Sequence, residues 1–257
     1  MDLLQTIIFG LVEGITEFLP ISSTGHLILT ANLLKLTQTE FLKSFEITIQ
    51  LGAILAVVVL YGRSFLINRE VIKKLIIAFI PTAIIGLLFY KIVKFYLLGS
   101  NQVVLWSLFV GGILLIIFEL LYKEKETATE KISEISWQKV LVIGIFQSVA
   151  IIPGVSRAAA TIIGGLLMGL KRKTIVEFSF LLAMPTMLAA TGLDLVKSAS
   201  AFQPNDFFLL AVGFSISFLV AIFSIRFLLA FIKNHTFIWF GVYRIILVLF
   251  FWLVMLR

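Results

Sequence analysis

The sequence contains no cysteine, which excludes disulfides, thiolate nucleophiles and cysteine-ligated metals together. It is also poor in charge: 14% of its 257 residues are Asp, Glu, Lys or Arg, where a soluble domain carries roughly 25%. Histidine occurs only twice. No Walker loop, dinucleotide fingerprint or H-E-x-x-H motif is present. Apolar surface fills the space that charge leaves. Hydrophobic residues make up 60% of the chain and the mean hydropathy is +1.11. One soluble core of this length could not hide so much apolar area, so the chain reads as an all-α polytopic membrane protein. The net charge of +7 and the pI of 9.7 then signify basic loops beside a lipid bilayer, and no nucleic-acid partner is expected. Residues Met1–Leu19 lack a basic leader and a small-residue cleavage site, and carry Asp2, Glu13 and Glu17. They read as part of the mature protein, not as a signal peptide.

Six segments are long and apolar enough to cross a hydrocarbon core of roughly 30 Å: Phe41–Tyr61, Leu75–Tyr90, Val103–Tyr122, Val176–Val196, Phe207–Ile232 and Phe237–Leu256. Two further apolar stretches are broken midway. Leu3–Leu34 is interrupted by Pro20, Ser22, Ser23, Thr24 and Gly25, and Val140–Leu170 by Pro153, Gly154, Ser156 and Arg157. Broken backbone at membrane depth survives only where protein or a water-filled cavity satisfies it. Both stretches therefore read as re-entrant helix–loop–helix hairpins.

Basic residues orient these pieces. Twelve lie in the loops at 62–74, 123–139 and 171–174 or at Lys233; the opposite side holds six, Lys35, Lys43, Lys91, Lys94, Lys197 and Arg257. The positive-inside rule places the first set in the cytoplasm and both termini outside. Two halves of opposite sense follow, an inverted-topology repeat. Residues 1–122 form the first repeat, 123–139 a solvated cytoplasmic linker rich in Glu and Lys, and 140–257 the second repeat. A faint internal echo at about 133 residues supports the division, setting Pro20–Ser23 against Pro153–Ser156. Inverted repeats bring their broken segments together near the midplane, where a site is expected.

The first break carries unusual polar residues. Glu13 and Glu17 are four apart and share a helix face. Each costs roughly 2.5–3.5 kcal/mol at the centre of a membrane helix, so they call for a bound cation, a shared proton or a basic partner. His26 lies within a turn of Ser22, Ser23 and Thr24 and close to both carboxylates, a grouping suited to proton transfer. In the second break, Gly154 and Ser156 precede Arg157 at a helix start, where free N–H groups attract anions. The Arg157 guanidinium either grips phosphate oxygens or neutralises Glu13 or Glu17; an anion can share it, so these readings are compatible. Glu46 and Gln50 share a face of the first span and are candidates to line the same cavity. Arg226, Arg244, Glu119 and Asp194 read as snorkelling near helix ends, and His235 as part of a bland cytoplasmic turn. Tyr and Trp residues near the span ends form an aromatic belt.

Glu13-x-x-x-Glu17-Phe-Leu-Pro-x-Ser22-Ser23-Thr24-Gly25-His26 and Pro153-Gly154-x-Ser156-Arg157-x-x-x-Thr161 resemble the two signatures of the bacterial undecaprenyl-diphosphate phosphatases of the bacitracin-resistance type. Phe45-Glu46-x-x-x-Gln50 and Glu177–Phe180 resemble that family as well. The resemblance implies hydrolysis of undecaprenyl diphosphate to the monophosphate in the bacterial plasma membrane, dependent on a divalent cation, with recycling of the carrier lipid for cell-wall synthesis. Many members carry Ser-Gly after the arginine, where this chain has Ala158-Ala159.

On this reading Ser23 is the nucleophile, His26 moves the proton, and Glu17 orients or shares it. Ser22, Thr24, Gly154, Ser156, Arg157 and Thr161 bind the diphosphate, and Glu13 and Glu17 hold Mg²⁺ or Ca²⁺. His26 and an activated water are the other candidate nucleophiles. A cavity open to the outer face follows from a first hairpin entering from outside. The alternative function is a secondary transporter or lipid flippase built on the same repeat. A second copy of the chain is the one protein partner this reading allows for.

Overall fold

The computed structural model describes residues 1–37, 39–65, 68–92, 97, 100–198 and 206–255. Lys94 and Arg257 lie outside these, as do the side chains of Arg63, Tyr90, Lys91, Asp194 and Lys197. Among the described residues the chain forms ten α-helices and no strand, beyond one isolated bridge between Thr129 and Leu170.

Helix α1 (Leu3–Thr16) starts in a capping box, in which Asp2 and Gln5 exchange side-chain-to-backbone bonds of 2.8 Å. It ends before Pro20, which has no N–H to continue the ladder. After a turn, α2 (Ser23–Leu33) completes the first hairpin. Then follow α3 (Glu40–Phe65), α4 (Arg69–Ile92) and α5 (Asn101–Leu121). Next, α6 (Trp137–Ser148), a 3-10 turn and α7 (Arg157–Leu167) form a second hairpin, followed by α8 (Arg172–Ser198), α9 (Asp206–Phe231) and α10 (Ile238–Met255). Five helices, α3, α4, α5, α8 and α9, are long and apolar enough to cross a membrane. The expected sixth span is α10, whose 18 described residues reach about 27 Å at 1.5 Å each.

The packing partners are exchanged between halves. α1 lies on α9 of the other half, and α6 lies on α4; α3 meets α8, and α5 meets α10. Glycine lets these helices approach closely. A Cβ at Gly14 would come within 2.7 Å of the Ser217 carbonyl oxygen, and one at Gly144 within 2.1 Å of that of Ala78. Helices α2 and α7 both begin behind a serine, Ser22 and Ser156, so the helix starts align one residue later than Pro20 and Pro153 do.

The segment between the halves is more than a solvated linker. Ile132 and Ile135 are buried in the largest apolar cluster, and Lys74 donates to the carbonyls of Ile132 and Ser133. Glu119 does not snorkel either: it is buried and takes a two-pronged bond from Arg172 at 2.5 and 2.9 Å, joining the end of α5 to the start of α8. Arg226 is exposed, and His235 is an exposed turn residue stacked on Phe231.

Candidate active site

The tips of the two hairpins meet. A Cβ on Gly25 would lie 3.5 Å from the Cα of Gly154. Gly154 has φ +89°, and a Cβ there would sit 2.6 Å from the Val104 carbonyl oxygen of α5, so only glycine lets the second tip turn this tightly against that helix. The first tip has a left-handed residue of its own, Ser22 at φ 71°. Ser22 caps α2 by accepting from the Gly25 N–H at 3.4 Å, and Ser156 caps α7 by accepting from the Ala159 N–H at 3.2 Å.

These caps set Ser23 and Arg157 at the first positions of their helices, and both reach Glu17. The Ser23 hydroxyl donates to Glu17 Oε2. Arg157 Nη2 donates to Glu17 Oε1 at 2.7 Å, a pair 140 residues apart in sequence. The carboxylate, 3% exposed, thus bridges the hydroxyl of one hairpin and the guanidinium of the other. Arg157 Nη1 is also held by the Ser179 carbonyl at 3.3 Å, while its Nε is buried with no hydrogen-bond partner. Thr161 braces this arrangement, its hydroxyl 2.5 Å from Ser179 Oγ and 3.0 Å from the Arg157 carbonyl oxygen.

Glu13, one turn before Glu17, is fully buried, and neither of its carboxylate oxygens has a hydrogen-bond partner. Glu17, Glu46 and Arg157 all lie within electrostatic range of it. Among the described residues no three acidic or histidine side chains group as a metal cage. Hard cations bound with phosphates need only one or two carboxylates, because phosphate oxygens and water supply the remaining ligands. The two open oxygens of Glu13 suit that limited role.

Both ring nitrogens of His26 bond to groups other than Ser23. Its Nδ1 lies 2.8 Å from the Ser22 carbonyl oxygen and its Nε2 2.9 Å from the Tyr243 hydroxyl, and the two rings stack within 3° of parallel. A carbonyl only accepts, so Nδ1 carries the proton and Nε2 accepts from Tyr243. Thr24 sits half-buried in the first turn of α2. Ala158 and Ala159 are buried and bring no hydroxyl.

Comparison with known proteins places the chain in a family. Residues 6–250 match the family described as bacitracin resistance protein BacA. The chain belongs to that family. A protein named undecaprenyl-diphosphatase from Sulfurihydrogenibium sp. (strain YO3AOP1) is 54% identical over 247 residues, covering 96% of this chain and 97% of the relative. One of the same name from Aquifex aeolicus (strain VF5) is 53% identical over 243 residues, covering 95% and 94%. Another, from Bdellovibrio bacteriovorus, is 44% identical over 247 residues, covering 96% and 94%. Together with its five long apolar helices, membership of the BacA family makes the chain a multi-pass membrane protein.

Sequence reasoning missed Tyr243 and Arg244. Arg244 was expected to snorkel; instead it is 1% exposed and donates to three carbonyls. The available signal was its position, two turns inside an apolar helix, together with Gly111, Gly112 and Gly241, which leave room for it. A Cβ at Gly111 would lie 2.3 Å from Arg244 Nη2.

Proposed function

We infer that the chain is an integral membrane phosphatase that hydrolyses undecaprenyl diphosphate to undecaprenyl phosphate and inorganic phosphate. It recycles the lipid carrier of cell-wall synthesis and so supports bacitracin resistance. The observation that carries this reading is the shared Glu17 carboxylate, bonded to Ser23 from one side and to Arg157 from the other.

Ser23 Oγ attacks the terminal phosphorus while Glu17 Oε2 takes its proton. Arg157, with an open Nε, and the N–H groups at the starts of α2 and α7 neutralise the phosphate oxygens as charge builds. Undecaprenyl phosphate leaves, and Glu17 returns the proton to it. Water then attacks the phosphoserine as Glu17 takes its proton, the phosphorus–Oγ bond breaks, Glu17 returns the proton to Ser23 Oγ, and inorganic phosphate departs. Thr161 acts through Ser179, which holds Arg157. His26 shapes the tip through the Ser22 carbonyl, and with both ring nitrogens engaged it is a poorer nucleophile than Ser23. Glu13, with Glu17 beside it, would hold Mg²⁺ or Ca²⁺, which when bound offsets diphosphate charge.

The halves form an inverted repeat in the bacterial plasma membrane, with the loops at 62–74, 123–139 and 171–174 in the cytoplasm and the site open to the outer face. The positive-inside count supports this orientation. A cysteine introduced at Glu130 should resist impermeant reagents in intact cells; labelling there would reverse the orientation. The activity itself is tested by phosphate release from undecaprenyl diphosphate in detergent, where no gradient exists to drive a transporter. Wild-type protein that released none would overturn the phosphatase reading.

A further inference from the structure

Two adjacent residues of α10 reach both hairpin tips. Tyr243 donates its hydroxyl to His26 Nε2 at 2.9 Å, and its ring lies parallel to the imidazole at 5.6 Å between centroids. The other nitrogen of His26 holds the carbonyl of Ser22, the left-handed residue directly before Ser23. The chain of contacts thus runs from α10 through the imidazole to the backbone that aims Ser23. Arg244 bonds to a different set of partners. Its Nε donates to the Leu108 carbonyl at 3.2 Å, and its Nη2 donates to those of Ser107 and Gly154 at 3.1 Å each. Gly154 is the turning residue of the second tip, three positions before Arg157.

A guanidinium is costly to bury without an acidic partner. Among the described residues, every hydrogen bond of Arg244 goes to a carbonyl. General packing between α5 and α10 does not require this. Gly112 and Gly241 already bring those helices together, since a Cβ at Gly112 would stand 2.9 Å from the Gly241 carbonyl oxygen, and Gly111 leaves room for the guanidinium. The arginine instead passes through this gap and fastens the second tip to α5.

We propose that Tyr243 and Arg244 are positioning residues that hold the two half-sites in register: Tyr243 sets Ser23 through His26 and Ser22, and Arg244 sets Arg157 through Gly154. The inference rests on the phosphatase reading. It predicts different kinetic signatures for two neighbouring residues on one helix. Tyr243 acts on the attacking hydroxyl, so its loss affects kcat. Arg244 acts on the phosphate grip, so its loss affects KM and inhibition by inorganic phosphate.

The test compares Tyr243→Phe, Arg244→Lys and Arg244→Met with wild type in detergent, measuring kcat, KM for undecaprenyl diphosphate, the inhibition constant of inorganic phosphate and thermal unfolding. Tyr243→Phe should lower kcat about tenfold with KM within twofold. Placed on His26→Asn, it should cost nothing further, because both changes cut the same chain of contacts. Arg244→Met should raise the phosphate inhibition constant about tenfold, and Arg244→Lys, which keeps the charge but reaches fewer carbonyls, should fall between. If Arg244→Met does not fold, Arg244→Lys decides. Additive losses in the Tyr243→Phe/His26→Asn pair would overturn the Tyr243 role. An unchanged phosphate constant in a folded Arg244 variant would overturn the Arg244 role, even if its unfolding temperature drops. Wild-type protein without activity would overturn the phosphatase reading instead, leaving direct binding of inorganic phosphate to decide the Arg244 role.

Discussion

In the first hairpin an eleven-residue helix begins at Ser23 behind the cap Ser22; in the second an eleven-residue helix begins at Arg157 behind the cap Ser156. The first helical position therefore holds a hydroxyl in one half and a guanidinium in the other, and both reach Glu17. The surroundings differ. Glu13, Glu17 and His26 flank the first tip, whereas the position in α7 that matches His26 in α2 is Ala160. Two similar frames point two helix starts at one place, and side chains then specialise them. On the proposed mechanism the first hairpin brings the nucleophile and its base and the second brings the guanidinium, so each needs the other.

The largest expected effect strikes at that division. Ser23→Ala should lower turnover by about a thousandfold or more, with binding of undecaprenyl diphosphate retained, since Arg157 and the helix-start N–H groups proposed to grip phosphate remain. Arg157→Lys should lower it by about a hundredfold and weaken binding, because the planar fork is lost while the charge stays. Turnover and lipid-diphosphate binding, measured separately, distinguish the two. Near-normal turnover in Ser23→Ala would remove the serine and leave a water activated by Glu17.

Next comes the bond between the halves. Arg157→Met strands the Glu17 carboxylate, which is 3% exposed, and should cost about 3–5 kcal/mol. Glu17→Gln added to Arg157→Met should restore most of that stability and none of the activity. Unfolding of both variants in detergent checks it; a double variant as unstable as the single would mean that the pair does not join the hairpins. A smaller loss is expected where α6 seats on α4. Gly144→Ala puts a methyl 2.1 Å from the backbone oxygen of Ala78, an overpacking that typically costs about 1–3 kcal/mol. Gly14→Ala, whose methyl would stand 2.7 Å from the Ser217 oxygen and from Val220 Cβ, should cost less because this approach is looser than the 2.1 Å at Gly144. Equal unfolding temperatures for the two would erase this difference between the hairpin seats.

What could be read from the sequence divides along the same physical line. Pro20, Pro153 and Gly154 break apolar runs midway, so both hairpins were visible without coordinates, and Glu17 and Arg157 stood out because charge at membrane depth needs a partner. Which carboxylate Arg157 pairs with was open, because that depends on how the tips dock. Tyr243 and Arg244 were hidden for a different reason. They lie in an apolar helix more than 200 residues from His26, so no local pattern links them to either hairpin tip. The ring partner of His26 was hidden by the same blind spot, since its nearest neighbours in sequence are hydroxyls but Tyr243 comes from α10.

The smallest effect separates the two caps. Ser156 accepts from Ala159 N–H at 3.2 Å, so Ser156→Ala should cost about 1 kcal/mol of stability. Turnover should fall only a few-fold, because Arg157 is still fixed by Glu17 and Ser179. Ser22 presents a longer bond of 3.4 Å and a backbone at φ 71°. Glycine carries no steric penalty there, so Ser22→Gly should offset its lost cap by relieving about 1–2 kcal/mol of left-handed strain. Its turnover should nonetheless fall more than that of Ser156→Ala, since Ser22 directly precedes Ser23, the proposed nucleophile, and its carbonyl holds His26. The two variants thus reverse the usual order: the one that loses more stability keeps more activity. Paired unfolding and turnover measurements check this, and a Ser22→Gly protein with wild-type turnover would show that the first tip needs no fixed backbone to aim Ser23.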